Sequence, residues 1–255
     1  MRIEILGCSG GIGPGLRTTC LVVDDHVLID AGSGVGDLSL DRMRRIDHVY
    51  LTHSHLDHVC GLAFIADNLF DLVEHPLQVH AIDATHDALR KHLFNWVIWP
   101  DFFHLPSSSR GLLVSREVRP MVTEQLPEEV RITAFPIQHT VPAVGYMLES
   151  TSGVFVFTGD TSGTPQLWSF LNGLGRLDVL MIEVAFPDND AELGSASQHY
   201  TPSRLAQDLE GLQHRPELLL THHKPGAEAL IEQQCREVLR GWNYRHLQRG
   251  EVFAV

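Results

Sequence analysis

The segment Thr52-His53-Ser54-His55-Leu56-Asp57-His58 places three histidines and an aspartate within six residues, a ligand density that folding alone rarely requires. It follows the apolar run His48-Val49-Tyr50-Leu51, which reads as a strand, so the histidines sit on the loop at that strand's end. In extended backbone alternate side chains share a face, so His53 and His55 can grip one ion. Asp57 and His58, at the start of the helix expected through Gly61-Leu62-Ala63-Phe64-Ile65, can turn toward a second. Neutral imidazole and carboxylate suit zinc, manganese or iron(II), and the lack of neighbouring thiolates favours a catalytic over a structural site.

More candidate ligands are scattered along the chain. His139 follows the apolar run 130–135, Asp160 follows Phe155-Val156-Phe157, and His222 follows Leu218-Leu219-Leu220-Thr221. Each lies just past a predicted strand, the edge where α/β sheets place their sites. Taken singly, any of them would more often be an ordinary polar residue.

The elements that must carry these residues form a repeating pattern. Residues 19–32 read as a hairpin closing on Asp30-Ala31-Gly32, and residues 145–160 repeat it with a Ser152-Gly153 turn and a closing Asp160. Further strands are expected at 77–81, 130–135, 179–182 and 218–220, and helices over 85–93, 202–212 and 227–239. Thr201 before Pro202 predicts an N-cap with proline at the first helical position. Strands alternating with helices predict an α/β fold of mixed layers in two similar halves. Residues 105–111 are too short for a linker and read as a surface loop, so 1–255 is expected to be one domain. The glycine-rich run Gly7-Cys8-Ser9-Gly10-Gly11-Ile12-Gly13-Pro14-Gly15 fits neither GxGxxG before a helix nor GxxxxGK[ST].

Composition narrows the functions available. A net charge of −13, with 19 Lys plus Arg in 255 residues, opposes tight binding to nucleic acid, which needs clustered cations. A small anionic substrate remains compatible, because bound divalent cations would restore positive charge locally. No apolar run of about 18 residues is present to span a membrane. The start Met1-Arg2-Ile3-Glu4-Ile5-Leu6-Gly7 reads as a strand rather than a signal peptide, so a cytoplasmic location is the expectation. The cysteines at 8, 20, 60 and 235 form no CxxC pair and are expected to be reduced. A homodimer is compatible with this composition.

The order HxHxDH, His139, Asp160, His222 resembles the metallo-β-lactamase superfamily over nearly the whole sequence, and no motif position is missing. The resemblance implies a four-layer αββα sandwich of two mixed sheets and a hydrolase with two divalent metal ions, zinc first, with manganese or iron as alternatives. It implies that His53, His55, His139 and Asp160 hold one ion and Asp57, His58, Asp160 and His222 the other. Asp160 would bridge, and Asp30 would support the metal loop. Two such cations can share a hydroxide, lower its pKa and stabilise charge on a phosphoryl or acyl oxygen.

Within that superfamily, residues 52–62 are similar to the signature of class II cyclic-nucleotide phosphodiesterases, fraying after Leu62 where Ala63-Phe64-Ile65 lacks their Ser-Pro. Residues 89–102, which contain Phe94-Asn95-Trp96-Val97-Ile98-Trp99-Pro100-Asp101-Phe102, resemble the "HIFN…IWP" segment of the same class. Asn95, Trp96, Trp99 and Phe102 are therefore expected to bind substrate, the rings stacking on a nucleobase. An aromatic turn anchored in the core would use the same residues. Glu183 and His199 resemble the Glu…His pair shared with tRNA 3′-processing endonucleases, in which His199 would protonate the leaving oxygen and Glu183 would orient its ring. Both are also suited to structural work, Glu183 as a buried acceptor and His199 as a cap on the next helix.

Asp57, Glu183 and His199 are thus the catalytic candidates. The expected reaction is hydrolysis of 3′,5′-cyclic nucleotides, cyclic AMP or cyclic GMP, to nucleoside 5′-monophosphates by a metal-bridging hydroxide. The alternatives are a tRNA 3′-endonuclease-like phosphodiesterase, a glyoxalase-II-like thioesterase, or a metal oxidase or nucleotide sensor without hydrolysis.

Overall fold

The chain lays down two seven-stranded mixed sheets that follow one plan. In the computed structural model, which describes residues 1–72, 75–107 and 109–255, sixteen strands alternate with seven α-helices among the described residues. The first sheet holds β1 (Arg2–Gly7), β2 (Cys20–Val23), β3 (Val27–Ile29), β4 (His48–Tyr50), β5 (Leu77–Ala81), β8 (Leu113–Glu117) and β16 (Val252–Ala254) in the order β16-β1-β2-β3-β4-β5-β8. The second holds β9 (Thr123–Gln125), β10 (Arg131–Ile137), β11 (Ala143–Glu149), β12 (Val154–Phe157), β13 (Val179–Glu183), β14 (Glu217–Thr221) and β15 (Tyr244–His246) in the order β15-β14-β13-β12-β11-β10-β9. Between them, β6 (Pro106–Ser107) and β7 (Arg110–Gly111) form a small hairpin where a surface loop was expected; Ser108 of that loop lies outside the described residues.

Each sheet begins with an antiparallel hairpin and continues in parallel. The β2–β3 hairpin leads to parallel β4 and β5, and the β11–β12 hairpin leads to parallel β13 and β14. Asp30 and Asp160 therefore occupy matching positions, one residue past β3 and three past β12. The two halves expected from the repeated hairpin pattern are present. The last strand returns to the first sheet, pairing Arg2 with Ala254.

Burial explains why many strands read as unbroken apolar runs. Along β12, Phe155 and Phe157 face the core between the sheets, while Val154 and Val156 face the helices. Along β13, Val179 and Met181 point inward, and Leu180 and Ile182 pack outward. A sheet covered on both faces needs apolar side chains on both. Helices α2 (Leu56–Leu69) and α3 (Asp83–His92) contribute to the core outside the first sheet. Helices α4 (Pro165–Asn172), α6 (Pro202–Leu209) and α7 (Glu228–Val238) cover the second. The short α1 (Leu40–Met43) and α5 (Ala191–Ala196) sit in connections. This is the αββα sandwich that the resemblance implied.

The caps differ from expectation in one respect. Thr201 occupies the N-cap of α6 with Pro202 at the first helical position, yet its side chain makes no capping bond. The same Thr-Pro pair at Thr164-Pro165, not singled out from sequence, starts α4 with a bond from Leu167 N to Thr164 Oγ1 at 3.2 Å.

Candidate metal centre

The strand β4 ends at Tyr50, and the chain reaches α2 through residues 51–55, so the HxHxDH segment spans a loop and a first helical turn. His55 is the N-cap residue, and Asp57 and His58 lie in the first turn. That turn is pressed onto the end of β3: Ala31 N donates to His58 O at 2.7 Å, and Gly61 N donates to Ala31 O at 2.7 Å. A Cβ on Gly61 would stand 2.6 Å from the Gly32 carbonyl oxygen, so only glycine permits this approach.

Asp30 is fully buried at a positive φ of 55° beneath the loop. It accepts from Thr52 N at 2.8 Å and from Thr52 Oγ1 at 2.8 and 3.0 Å. Its other bond, 2.7 Å to His58 Nδ1, fixes that ring. With Nδ1 directed at Asp30, Nε2 faces the cluster. Thr52 Oγ1 holds His53 Nδ1 at 2.9 Å in the same way. The structure thus gives Asp30 a contact suited to the supporting role expected of it.

The scattered residues converge on that loop. His53, His55 and His139 bring ring nitrogens together, and Asp57, His58, Asp160 and His222 form an adjoining group, each with ligand atoms within 4.8 Å of one another. Asp160 Oδ2 lies 3.2 Å from both His58 Nε2 and His222 Nε2 and 4.0 Å from His53 Nε2, so one carboxylate touches both groups. His139 Nε2 is 3.1 Å from His55 Nδ1. Asp57 Oδ2 stands 3.8 Å from His222 Nε2 and 3.9 Å from His58 Nε2 on the more open side. All seven predicted ligands are brought together.

These side chains fit divalent cations. The Nε2 atom of His53 is buried without a hydrogen-bond partner, a state polar atoms in a core avoid. Burial pushes His139 down to about 4 and His222 down to about 3, and holds His53 well below the ordinary histidine value. They therefore stand neutral with lone pairs available, as a metal ligand must. Asp160 is held well below the usual carboxylate range: burial opposes its charge, but the imidazoles of His222 and His58 outweigh it. Among the described residues the cysteines are free, and Cys60, half-buried on α2, belongs to none of these ligand groups.

Glu183 and His199 meet beside this centre. Glu183 ends β13 fully buried, and its Oε1 lies 2.7 Å from His199 Nδ1. The carboxylate also accepts from Thr161 N at 2.8 Å and Tyr200 N at 3.2 Å, which fixes its orientation. The His199 ring stacks on His222 at 5.4 Å and meets His139 edge-on at 5.1 Å. Burial works against its protonation, but the Glu183 carboxylate prevails and raises its proton affinity above the ordinary value. A cavity of about 340 Å³ opens on the same side, lined by Ser162, Gly163, Ala191, Ser195, His199, Thr201 and Arg204.

The aromatic segment behaves differently from expectation. Phe102 is 2 % exposed and packs edge-on against Phe70, centroids 5.5 Å apart, in the core outside the first sheet. Phe70 lies thirteen residues beyond Asp57 along α2, about 20 Å away at 1.5 Å per residue, so Phe102 cannot reach a substrate at the cluster. Trp99 donates from Nε1 to Ala63 O at 3.1 Å and packs on Phe64, halfway along the same helix. Asn95 is an internal brace: its Oδ1 accepts from the amides of Val97 and Ile98 at 3.0 and 2.8 Å, and its Nδ2 donates to Lys91 O. Trp96 is 63 % exposed at a turn. The alternative reading from sequence, a turn anchored in the core, describes Phe94 and Phe102.

Sequence reasoning passed over Thr52, Thr161 and Lys224, which touch the candidate residues. All three lie within two positions of predicted ligands, which was the available signal.

Residues 25–223 match the family described as beta-lactamase superfamily domain. A protein of Aliivibrio fischeri named 3',5'-cyclic-nucleotide phosphodiesterase is 26% identical over 253 residues, covering 82% of this chain and 74% of that one. A Ribonuclease Z of Halorubrum lacusprofundi is 27% identical over 157 residues, covering 58% of this chain and 47% of its own. The crystal structure of unliganded yeast PDE1 superposes with a TM-score of 0.80 at 18% identity over 98% of both chains.

Proposed function

The chain belongs to the β-lactamase superfamily, and from that premise we propose that this metal-dependent hydrolase is a phosphodiesterase opening 3′,5′-cyclic nucleotides to nucleoside 5′-monophosphates. The observation that carries this reading is the buried Glu183–His199 pair, 2.7 Å apart, set against the ligand cluster. A hydrolase that expels a sugar alkoxide needs an acid there, because an unprotonated alkoxide leaves poorly. The name of the Aliivibrio fischeri relative supports the choice of substrate.

In this proposal His53, His55, His139 and Asp160 hold one divalent ion, and Asp57, His58, Asp160 and His222 hold the other, with zinc favoured by the nitrogen and oxygen donors. Bound ions would supply an activated water and neutralise charge on the phosphoryl oxygens. Asp30 and Thr52 hold the rings of His58 and His53 in the required tautomers. His199 directs Nδ1 at Glu183 and keeps Nε2 for the leaving 3′-oxygen, to which it gives a proton. Glu183, anchored by Thr161 and Tyr200, keeps that ring from turning away. The cavity beside His199 receives the rest of the leaving alcohol. Its lining carries serine hydroxyls and a guanidinium and no carbocyclic aromatic ring, which suits ribose better than base stacking.

The test is a hydrolysis screen of one metal-replete sample against cyclic AMP, cyclic GMP, bis(4-nitrophenyl) phosphate and precursor tRNA. Turnover of a cyclic nucleotide is the expected result. Turnover of tRNA with none of cyclic nucleotide would move the Ribonuclease Z-like reading ahead.

A further inference from the structure

The glycine-rich run near the N-terminus, which matches no nucleotide loop, is packed against the last ligand. Gly10 N donates to His223 O at 2.9 Å, and His222 N donates to Cys8 O at 2.8 Å. A Cβ on Gly10 would lie 2.4 Å from the His222 carbonyl oxygen, and one on Gly11 would lie 2.8 Å from the Pro225 ring. Small residues are therefore needed for the loop to lie flat on residues 222–225. That contact places one further group. Lys224, half-buried, donates from Nζ to Gly10 O at 3.0 Å and stands 3.5 Å from His222 Nε2, over the face of Phe186 at 5.9 Å. Phe186 in turn meets His199 edge-on at 5.7 Å.

We propose that Lys224, held by the glycine loop, forms a subsite for a non-bridging anionic oxygen of a phosphoryl group at the rim of the metal centre. His222 Nε2, to which Nζ is close, is itself 3.2 Å from Asp160 and 3.8 Å from Asp57, so the ammonium borders the carboxylate side of the cluster. An ammonium carries three donors; the Gly10 carbonyl takes one and His222 Nε2 faces another at 3.5 Å, leaving one for a ligand. A phosphodiester is an anion in a cleft lined by Asp57 and Asp160. A fixed cation there favours it over a neutral carboxylic or thioester, for which the same ammonium has no charged partner. The inference rests on the phosphodiesterase reading for its substrate, but phosphate recognition can be measured separately.

The experiment compares wild type, Lys224→Met and Lys224→Arg as metal-replete proteins, with bound metal quantified for each. Affinity for inorganic phosphate is read by calorimetry, and kcat and KM are read on bis(4-nitrophenyl) phosphate. Lys224→Met is expected to weaken phosphate binding and lower kcat/KM roughly ten- to a hundredfold, the range for one charge-assisted hydrogen bond. Metal content should stay at the wild-type value, and Lys224→Arg should recover most of the loss. Unchanged phosphate affinity in Lys224→Met overturns the proposal. So does equal loss in both variants together with lost metal, which would make Lys224 a brace for the Gly10 loop. If wild type opens no cyclic nucleotide but phosphate binding still depends on Lys224, the subsite stands and the substrate assignment alone falls.

Discussion

Replacing His199 with asparagine isolates its proton from its structural bond. The asparagine amide nitrogen stands close to the position of Nδ1, so it can still donate to Glu183 Oε1, now 2.7 Å from the ring. Nothing replaces Nε2. Glu183 keeps its bonds from Thr161 N and Tyr200 N, so the buried carboxylate remains paired. His199→Ala lacks that donor, and leaving a buried acceptor without its hydrogen bond costs ~1–3 kcal/mol. The asparagine variant should therefore keep a urea midpoint near wild type while the alanine variant loses stability. On cyclic AMP, loss of a positioned acid should lower kcat by ~10²–10⁴-fold, which is about 2.7–5.4 kcal/mol at 1.36 kcal/mol per tenfold. On bis(4-nitrophenyl) phosphate, whose leaving group departs without a proton, the loss should stay within about tenfold. Steady-state kinetics on both substrates with metal content measured decide the matter. Equal losses on the two substrates would refute the acid role and leave His199 as a positioning group for metal or substrate.

Three further outcomes are expected. Asp160→Ala should drop bound metal well below wild type by elemental analysis and abolish hydrolysis, because one carboxylate touches both ligand groups; full metal content with a near-normal rate would rule out bridging. Phe102→Ala should cost ~3–5 kcal/mol of stability in urea unfolding with KM for cyclic AMP unchanged, whereas exposed Trp96→Ala should barely move stability; a stable Phe102 variant with a raised KM would restore the base-stacking role. Finally, the Arg42 guanidinium, bonded to Glu4 at 2.9 and 2.9 Å, holds that carboxyl below its usual range against the opposing effect of burial. A depressed carboxyl stabilises the fold above its unfolded value of about 4.3 and loses that contribution as pH falls through the folded value. Glu4→Gln should therefore cost ~1 kcal/mol at neutral pH, with the gap to wild type closing in acid; a gap independent of pH would show that the charge is not what stabilises.

The candidate metal cluster was legible in the sequence because its residues sit at strand ends, and strand ends can be read from apolar runs without knowing which strands are neighbours. His53, His55, Asp57 and His58 are local to one loop, and the halves could be paired because the hairpins closing at Asp30 and Asp160 are written twice. The element types followed from periodicity and turn residues. The short edge strands β8, β9, β15 and β16 did not, since three to five residues carry too little pattern to identify a strand. The aromatic segment shows the limit most clearly. Asn95, Trp96, Trp99 and Phe102 form a distinctive string, but composition cannot say which face of α2 a ring meets, and the fold buries Phe102 beside Phe70 at the far end of that helix. Lys224 shows the converse, an ordinary residue beside a ligand until the glycine loop folds back onto it. Side-chain type and strand order along the chain determined which chemistry this protein can perform. The contacts between segments more than two hundred residues apart decided which groups stand beside the ligand cluster, because those distances exist only once the two sheets have packed.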